Sequence, residues 1–359
     1  MHRIGWLALP GDNVAGLHFA PVAVRCQVIR ILRAAQSLRQ PASERSNVGL
    51  IRLMRLALCR VSAALVGIDG IDTPAAVDTY LTYMDKLSLG VNIEWAARDH
   101  REIIRQGLGV KQQFEEELVA PSLLKRERLV SDYKAGKLKA EALPLDLLTV
   151  MLLHADHFEK WDADVLLREL ILFNGAATGT ITMAVPHVVH ELMNWLEVHP
   201  ADLASLTDRG FLKRAVIEGI RLHPASPYLI RKSRSMQRLS SGREIAAGEY
   251  VVLDLVKASR DPAVFGREPD HYDPSRNPLL KIKPMGLAFG DGPHTCIGMG
   301  MTIGEGAVAD DEAPLGMAVY IVRELYRAGI RLDSGNPPRW NDANVRNEYA
   351  AFPVCFDHL

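Results

Sequence analysis

Cysteine is scarce in this chain. Only Cys26, Cys59, Cys296 and Cys355 occur in 359 residues, far apart and with no CxxC pair. That spacing excludes a disulfide framework and a zinc knuckle, and it leads us to expect a reducing, cytoplasmic setting. Net charge is nearly absent as well: 42 Lys+Arg against 43 Asp+Glu give −1, which argues against a general nucleic-acid binder. There is no internal repeat and no low-complexity tract, so a solenoid or a disordered chain is excluded. Long hydrophobic runs are missing too. The charge-free stretch Leu170–Val189 is broken by Asn174, Gly175, Thr178, Gly179, Thr180, Thr182 and Pro186. It suits a helix buried on all faces better than a membrane span.

Acids are missing from one end only. Residues 1–68 hold nine arginines, no lysine and only Asp12 and Glu44, for +7, while the remainder has 33 bases and 41 acids, for −8. Such a start reads as a transit peptide, an amphipathic surface segment or a mis-assigned beginning. We therefore expect 1–68 to be an atypical Arg-rich segment and 69–359 a single domain.

What is present is mainly helical. Periodicity predicts helices over Gln112–Lys134 (with Pro121 a possible break), Leu145–Leu153, Asp162 to about Val198, Phe211–Leu222 and Gly316–Ala328. The longest would span roughly 55 Å at 1.5 Å per residue. Strands are predicted at Met236–Leu239, Glu249–Leu255 and Tyr349–Phe356, and Asp261–Ala288 reads as irregular. The expected fold class is mainly α with a small β region.

The segment Phe289-Gly290-Asp291-Gly292-Pro293-His294-Thr295-Cys296-Ile297-Gly298 carries the chemistry. Glycines allow a sharp turn and close approach to a flat ligand, and the cysteine should open a helix whose N–H groups favour a thiolate. A cysteine by itself is as a rule an inert buried thiol; here the surroundings matter. This segment closely resembles the haem-thiolate loop F-x-x-G-x-x-x-C-x-G of the cytochrome P-450 family. In the same order, Glu218-Gly219-Ile220-Arg221 resembles that family's E-x-x-R helix. Asp261-Pro262-Ala263-Val264-Phe265 through Tyr272-Asp273-Pro274-Ser275-Arg276 resembles its D-P-x-x-F…F-D-P-x-R stretch, and Asn174-Gly175-Ala176-Ala177-Thr178-Gly179 its oxygen-activation groove.

The resemblance covers about residues 110–359 and implies a cytochrome P-450 fold with a long central helix over haem. It implies a soluble monooxygenase that inserts one oxygen atom into a small apolar substrate, with electrons from a ferredoxin or flavin reductase and without a nucleic acid or a stable membrane span. Cys296 would be the axial thiolate to iron, with Phe289, Gly290 and Gly298 shaping its loop and His294 and Arg231 binding haem carboxylates. Glu218, Arg221 and Arg276 would form a buried structural network, and Thr178 would steer protons.

Three departures stand beside the resemblance. Ala177 takes the place of the usual acid, which leaves open a peroxide-driven or non-oxygenase haem-thiolate enzyme. Gly304–Pro314 lengthens the segment after the cysteine with acidic residues. No H-x-x-x-R or W-x-x-x-R precedes the central helix, since His18 and Arg25 have the wrong spacing; this leaves open a truncated, catalytically silent relative. His187-x-x-His190-Glu191, like His154 and His157, has metal-like spacing but no third ligand motif, so solvent-exposed histidines are expected. Met299 and Met301 read as packing residues.

Overall fold

The computed structural model describes residues 48–157, 162–279, 281–305 and 315–357. The basic start with His18, Arg25 and Cys26 lies outside them, as does most of the acidic insertion. In chain order come β1 (Val48–Gly49), α1 (Leu50–Val66), α2 (Pro74–Val91), α3 (His100–Phe114), α4 (Ala120–Lys134), α5 (Leu147–Leu153), α6 (Ala163–Val198) and α7 (Arg209–Leu222). Then follow β2 (Tyr228–Lys232), β3 (Gln237–Arg238), β4 (Glu244–Ile245), β5 (Tyr250–Asp254), α8 (Leu255–Ala258) and α9 (Pro262–Phe265). The last elements are α10 (Met299–Ile303), α11 (Met317–Arg327), β6 (Ile330–Leu332), β7 (Arg339–Trp340), β8 (Tyr349–Ala351) and β9 (Pro353–Phe356). The chain divides into two compact units, one made of the residues up to Pro186 together with those from Ile297 onward, the other of His187–Cys296.

In the first unit α2, α3, α5 and α6 start where short polar side chains satisfy their open N–H groups. Thr73 Oγ1 accepts from Ala76 N at 3.1 Å, Asp99 Oδ1 from Arg101 N at 2.9 Å, Asp146 Oδ1 from Thr149 N at 2.8 Å and Asp162 Oδ1 from Val165 N at 2.7 Å. Tyr80, Phe114, Leu148, Met151, Leu167 and Leu170 meet in a core to which α1 adds Cys59, Ala63 and Val66. Residues 50–66 thus pack as part of this unit rather than as a separate segment ending at 68. Beneath that core Arg126 is buried between two acids, with Nη2 2.9 Å from Asp146 Oδ2 and 3.0 Å from Asp69 Oδ1.

The helix expected from Gln112 starts earlier, at His100, and Pro121 does not break it. The five-residue π-turn Glu115–Val119 absorbs the lost N–H just before the proline, and α4 continues from there. The expected strand Tyr349–Phe356 is two strands. β8 pairs with β7, while β9 lies between β1 and β6, and the fully buried Phe352 separates them.

The ends of the insertion are informative. Gly304 and Leu315 form an antiparallel bridge, and Gly316 sits so close to the backbone of Thr302, Ile303 and Gly304 that no Cβ would fit. Gly304 and Leu315, on either side of those residues, therefore lie side by side between α10 and α11.

In the second unit Asp208 caps α7 through Phe211 N at 2.5 Å. Gly219 lets α7 approach α6, because a Cβ there would lie 2.8 Å from Val188 Cγ2. Tyr272 Oη donates to the Ala215 carbonyl at 2.9 Å, fastening the irregular stretch to α7. β2 and β5 pair antiparallel with Ile230 opposite Val252.

Candidate functional site: a cysteine loop and a helix-lined cavity

The second unit presents the cysteine loop. Gly290 (φ +68°) and Gly292 (φ +64°) are both in the left-handed region, and a Cβ at Gly290 would press to 3.2 Å on the His294 carbonyl. The turn Gly292–His294 is closed by Thr295, whose N and Oγ1 both donate to the Gly292 carbonyl, at 3.1 and 2.9 Å. Cys296 N then donates to Phe289 O at 2.8 Å, tying the two ends of the loop together. Cys296 and His294 are exposed, while Phe289, Gly290 and Gly298 are half-buried. The cysteine does not open a helix directly: α10 starts three residues later and has only five residues. The thiol's placement rests on the loop's own turns.

Behind the loop lies the charge network. Arg221, wholly buried, makes a two-pronged contact with Glu218, Nε to Oε2 and Nη2 to Oε1, both at 2.7 Å. Its Nη1 donates to the Ser259 carbonyl at 2.5 Å, and its guanidinium lies 4.8 Å from the Phe265 ring centre. Arg276 Nε reaches the same Glu218 at 2.9 Å. Its other donors go to the carbonyls of Phe265 (2.8 Å), Arg267 (3.2 Å), Glu268 (3.1 Å) and His271 (2.9 Å). Every N–H of Arg276 is used, which is how a buried guanidinium is tolerated. Arg231, on β2, is exposed and donates to the Ile230 carbonyl at 2.9 Å.

The histidines differ from expectation. His187 is buried, not exposed, and stacks on His223 with ring centres 4.3 Å apart. His223 Nε2 is 2.7 Å from Glu191 Oε1. Burial alone would raise the Glu191 carboxyl, but the His223 hydrogen bond and the nearby histidines outweigh it and hold it below the usual range. Among the described residues no three His, Cys, Asp or Glu side chains converge on a bare-metal site.

The first unit holds a cavity of about 410 Å³ along α6, lined by Thr178, Thr182 and Met183 together with residues of α1 and α2, Trp95 and the turn around Arg346. Thr178 Oγ1 donates to the Asn174 carbonyl one turn back, at 2.7 Å. The buried Asn174 also touches Tyr80 Oη through Nδ2. A buried phenol loses much by ionising, and Tyr80 is pushed well above the ordinary tyrosine range. Cys59, also at this cavity, is raised to about 11 by burial, a contrast with exposed Cys296. Arg346, Trp95, Asn92 and Tyr80 had no signal in the sequence. They come from separate segments and form no motif.

Comparison with known proteins turns this geometry into an assignment. The family profile "Cytochrome P450" matches residues 113–308, more than half of the chain. The chain belongs to the cytochrome P450 family. Among curated relatives, cytochrome P450 4F5 of Rattus norvegicus is 25% identical over 250 residues, 62% of this chain and 45% of the rat protein. Leukotriene-B4 omega-hydroxylase 3 of Mus musculus is 27% identical over 234 residues, 59% of this chain and 42% of its own length. The chain thus spans less than half of these two P450s. Among solved structures, substrate-free CYP109E1 from Bacillus megaterium superposes with a TM-score of 0.68 at 15% identity, covering 97% of this chain and 78% of that one. P450BioI, in complex with a hexadec-9Z-enoic acid ligated acyl carrier protein, gives 0.67 at 17% identity, with coverage of 99% and 79%. The fold is therefore the P450 fold, mainly α with small sheets. Its cofactor is haem with a cysteine thiolate axial ligand. The donor set here fits that group: one exposed soft donor on a tight glycine loop suits an iron that a macrocycle already holds and that takes one protein ligand. Among the described residues no helix is long and apolar enough to cross a membrane.

Proposed function

We propose that this P450 is a haem-dependent monooxygenase that inserts one atom of dioxygen into a small, largely apolar organic substrate, with electrons from a ferredoxin or flavin-type partner. The observation that carries the reading is exposed Cys296, tied through its own N–H to Phe289 across a loop turned by left-handed Gly290 and Gly292. When bound, haem supplies the oxygen activation and the oxidising power. The chain supplies the rest. Cys296 gives the thiolate, His294 and Arg231 are the basic groups for the haem carboxylates, and Glu218, Arg221 and Arg276 hold the segment leading into the loop. Thr178 handles protons at its hydroxyl. With that O–H donating to the Asn174 carbonyl, the oxygen's lone pairs are left to accept, and passing its proton elsewhere requires the O–H to turn about the Cβ–Oγ1 bond. The names of the mouse hydroxylase and the P450BioI complex point to lipid-like substrates, in keeping with the apolar part of the cavity wall.

The test is the reduced, carbon-monoxide difference spectrum of protein expressed with a haem precursor, beside Cys296→Ala. A Soret band at the long wavelength of thiolate ligation, lost in the variant, supports the reading; no haem band in the unaltered protein overturns it in favour of a silent relative. Thr178→Val should keep that band while product formation falls well below reductant consumption. Ala177, together with the committed proton of Thr178, favours a second reading, peroxide-driven turnover. Product formed from hydrogen peroxide without any reductase, at a rate matching or exceeding the reductase-supported one, would establish it.

A further inference from the structure

We infer that the cavity along α6 selects apolar substrates that carry one neutral oxygen function, a ketone or an alcohol, and that Thr182 is the specificity residue that binds this oxygen. The inference rests on the monooxygenase reading for the fate of the bound molecule, though not for its binding.

The observation is a contrast among three threonines of one helix. A threonine inside a helix can give its hydroxyl proton to the carbonyl one turn back. On α6, Thr178 donates in this way to the Asn174 carbonyl at 2.7 Å and Thr180 to the Ala176 carbonyl at 2.8 Å. Thr182 does not: its Oγ1 is shielded from solvent and has no hydrogen-bond partner. Such a hydroxyl has given up the water it held in the unfolded chain without a bond in exchange, so a partner that reaches it restores what folding took away.

Thr182 lines the cavity, which is within the size range of small-molecule sites. Its hydroxyl and methyl exchange places when the side chain turns about χ1. In Thr178 that turn breaks a hydrogen bond; in Thr182 it breaks none. A ligand oxygen at the wall therefore draws the Thr182 hydroxyl toward itself at little cost. Leu81, Met84, Leu89 and Met183 line the same cavity, and beside such apolar walls one hydrogen bond counts for more than it does in water. The selected group is neutral, because a single hydroxyl does not repay stripping water from an ionised one.

Position follows from the helix. Thr182 comes four residues after Thr178, so the two share one helical face and stand about 6 Å apart along the axis. A molecule held at Thr182 and lying along α6 presents at Thr178 a carbon several bonds from its oxygen. Oxidation is thus expected away from the oxygen function already present. Ser88 of α2 is the rival handle. It also lines the cavity, but its Oγ sits against Gly175, 3.3 Å from where a Cβ there would lie, which is roughly 10 Å before Thr182 along α6.

Isothermal titration of the full chain, expressed with a haem precursor, compares 1-tetralone with tetralin as probes; the ketone has a carbonyl where tetralin has a methylene. Because the ketone is the better hydrated of the two, each probe is compared between proteins. Thr182→Val keeps the shape of the side chain and removes the hydroxyl. It should weaken 1-tetralone about three- to tenfold and leave tetralin unchanged or slightly tighter. Thr182→Ser should keep most of the ketone's affinity. The infrared carbonyl stretch of bound 1-tetralone is the second readout: below its value in hydrocarbon solvent with the unaltered protein, and back at that value in Thr182→Val. No binding of 1-tetralone, an equal change for both probes in Thr182→Val, or an unshifted stretch in the unaltered protein overturns the inference. So does a shift that disappears in Ser88→Ala. Should Thr182→Val fail to fold, the stretch in the unaltered protein and in Ser88→Ala still decides. A thiolate band without this discrimination sinks only the inference, and the discrimination without the band sinks only the monooxygenase reading.

Discussion

Residues 187–296 and the cavity-bearing unit each bury arginine, and they do so in different ways. In the first case Arg221 and Arg276 converge on Glu218, the Asp273 N–H adds a further donor at 3.2 Å, and carbonyls take what remains. In the second, Arg346 is turned toward a cavity by a ring, an amide oxygen and a sulfur. A charge fully matched by protein groups works as a rivet. The Arg126 cluster with Asp69 and Asp146 shows that the cavity-bearing unit also contains rivets, so the distinction belongs to the position and not to the unit.

The rivet should break hardest. Arg221→Ala strands Glu218 in the interior and is expected to cost about 3–5 kcal/mol, read as a drop in the denaturation midpoint and in soluble yield. An unchanged midpoint would mean that the cluster is not holding the unit. Gly290→Ala comes next, at about 1–2 kcal/mol for a left-handed Cβ, with added pressure on the His294 carbonyl. The expected readout is weaker haem retention with little change in global unfolding. Tyr80→Phe, which removes the hydroxyl that Asn174 contacts beside the cavity, should cost about 1 kcal/mol and leave the loop untouched.

The smallest effect is on pH dependence. Because the Glu191 carboxyl is depressed in the folded chain, its stabilisation is fully present above its unfolded value, about 4.3, and is lost as pH falls through the lower folded value. His223→Gln should flatten that acid limb in urea titrations across pH 3–5. An unchanged limb would remove the pair from the account.

How much was legible in the sequence follows from separation along the chain. Asp162 announced a helix start because capping is a three-residue event, whereas the caps Asp146 and Asp208 were found only in the structure. Glu218 and Arg221 announced themselves because one helical turn sets their spacing. Pro121 misled, since a lost N–H can be absorbed by a π-turn that no local pattern shows. His187 misled as well: metal-like spacing on a helix is equally compatible with a buried ring stacked on His223.

The sequence by itself determined the class of this protein, the glycine turns of its cysteine loop and the pairing of Glu218 with Arg221, because each depends on local turns and helical spacing. Only the tertiary structure decided that α1 belongs to the core and that Arg346, Trp95, Asn92, Met183 and Thr182 share one cavity. Those residues come from stretches separated by up to 254 positions. Contacts over such distances are set by how whole helices pack, and packing leaves no short-range mark on the order of the residues.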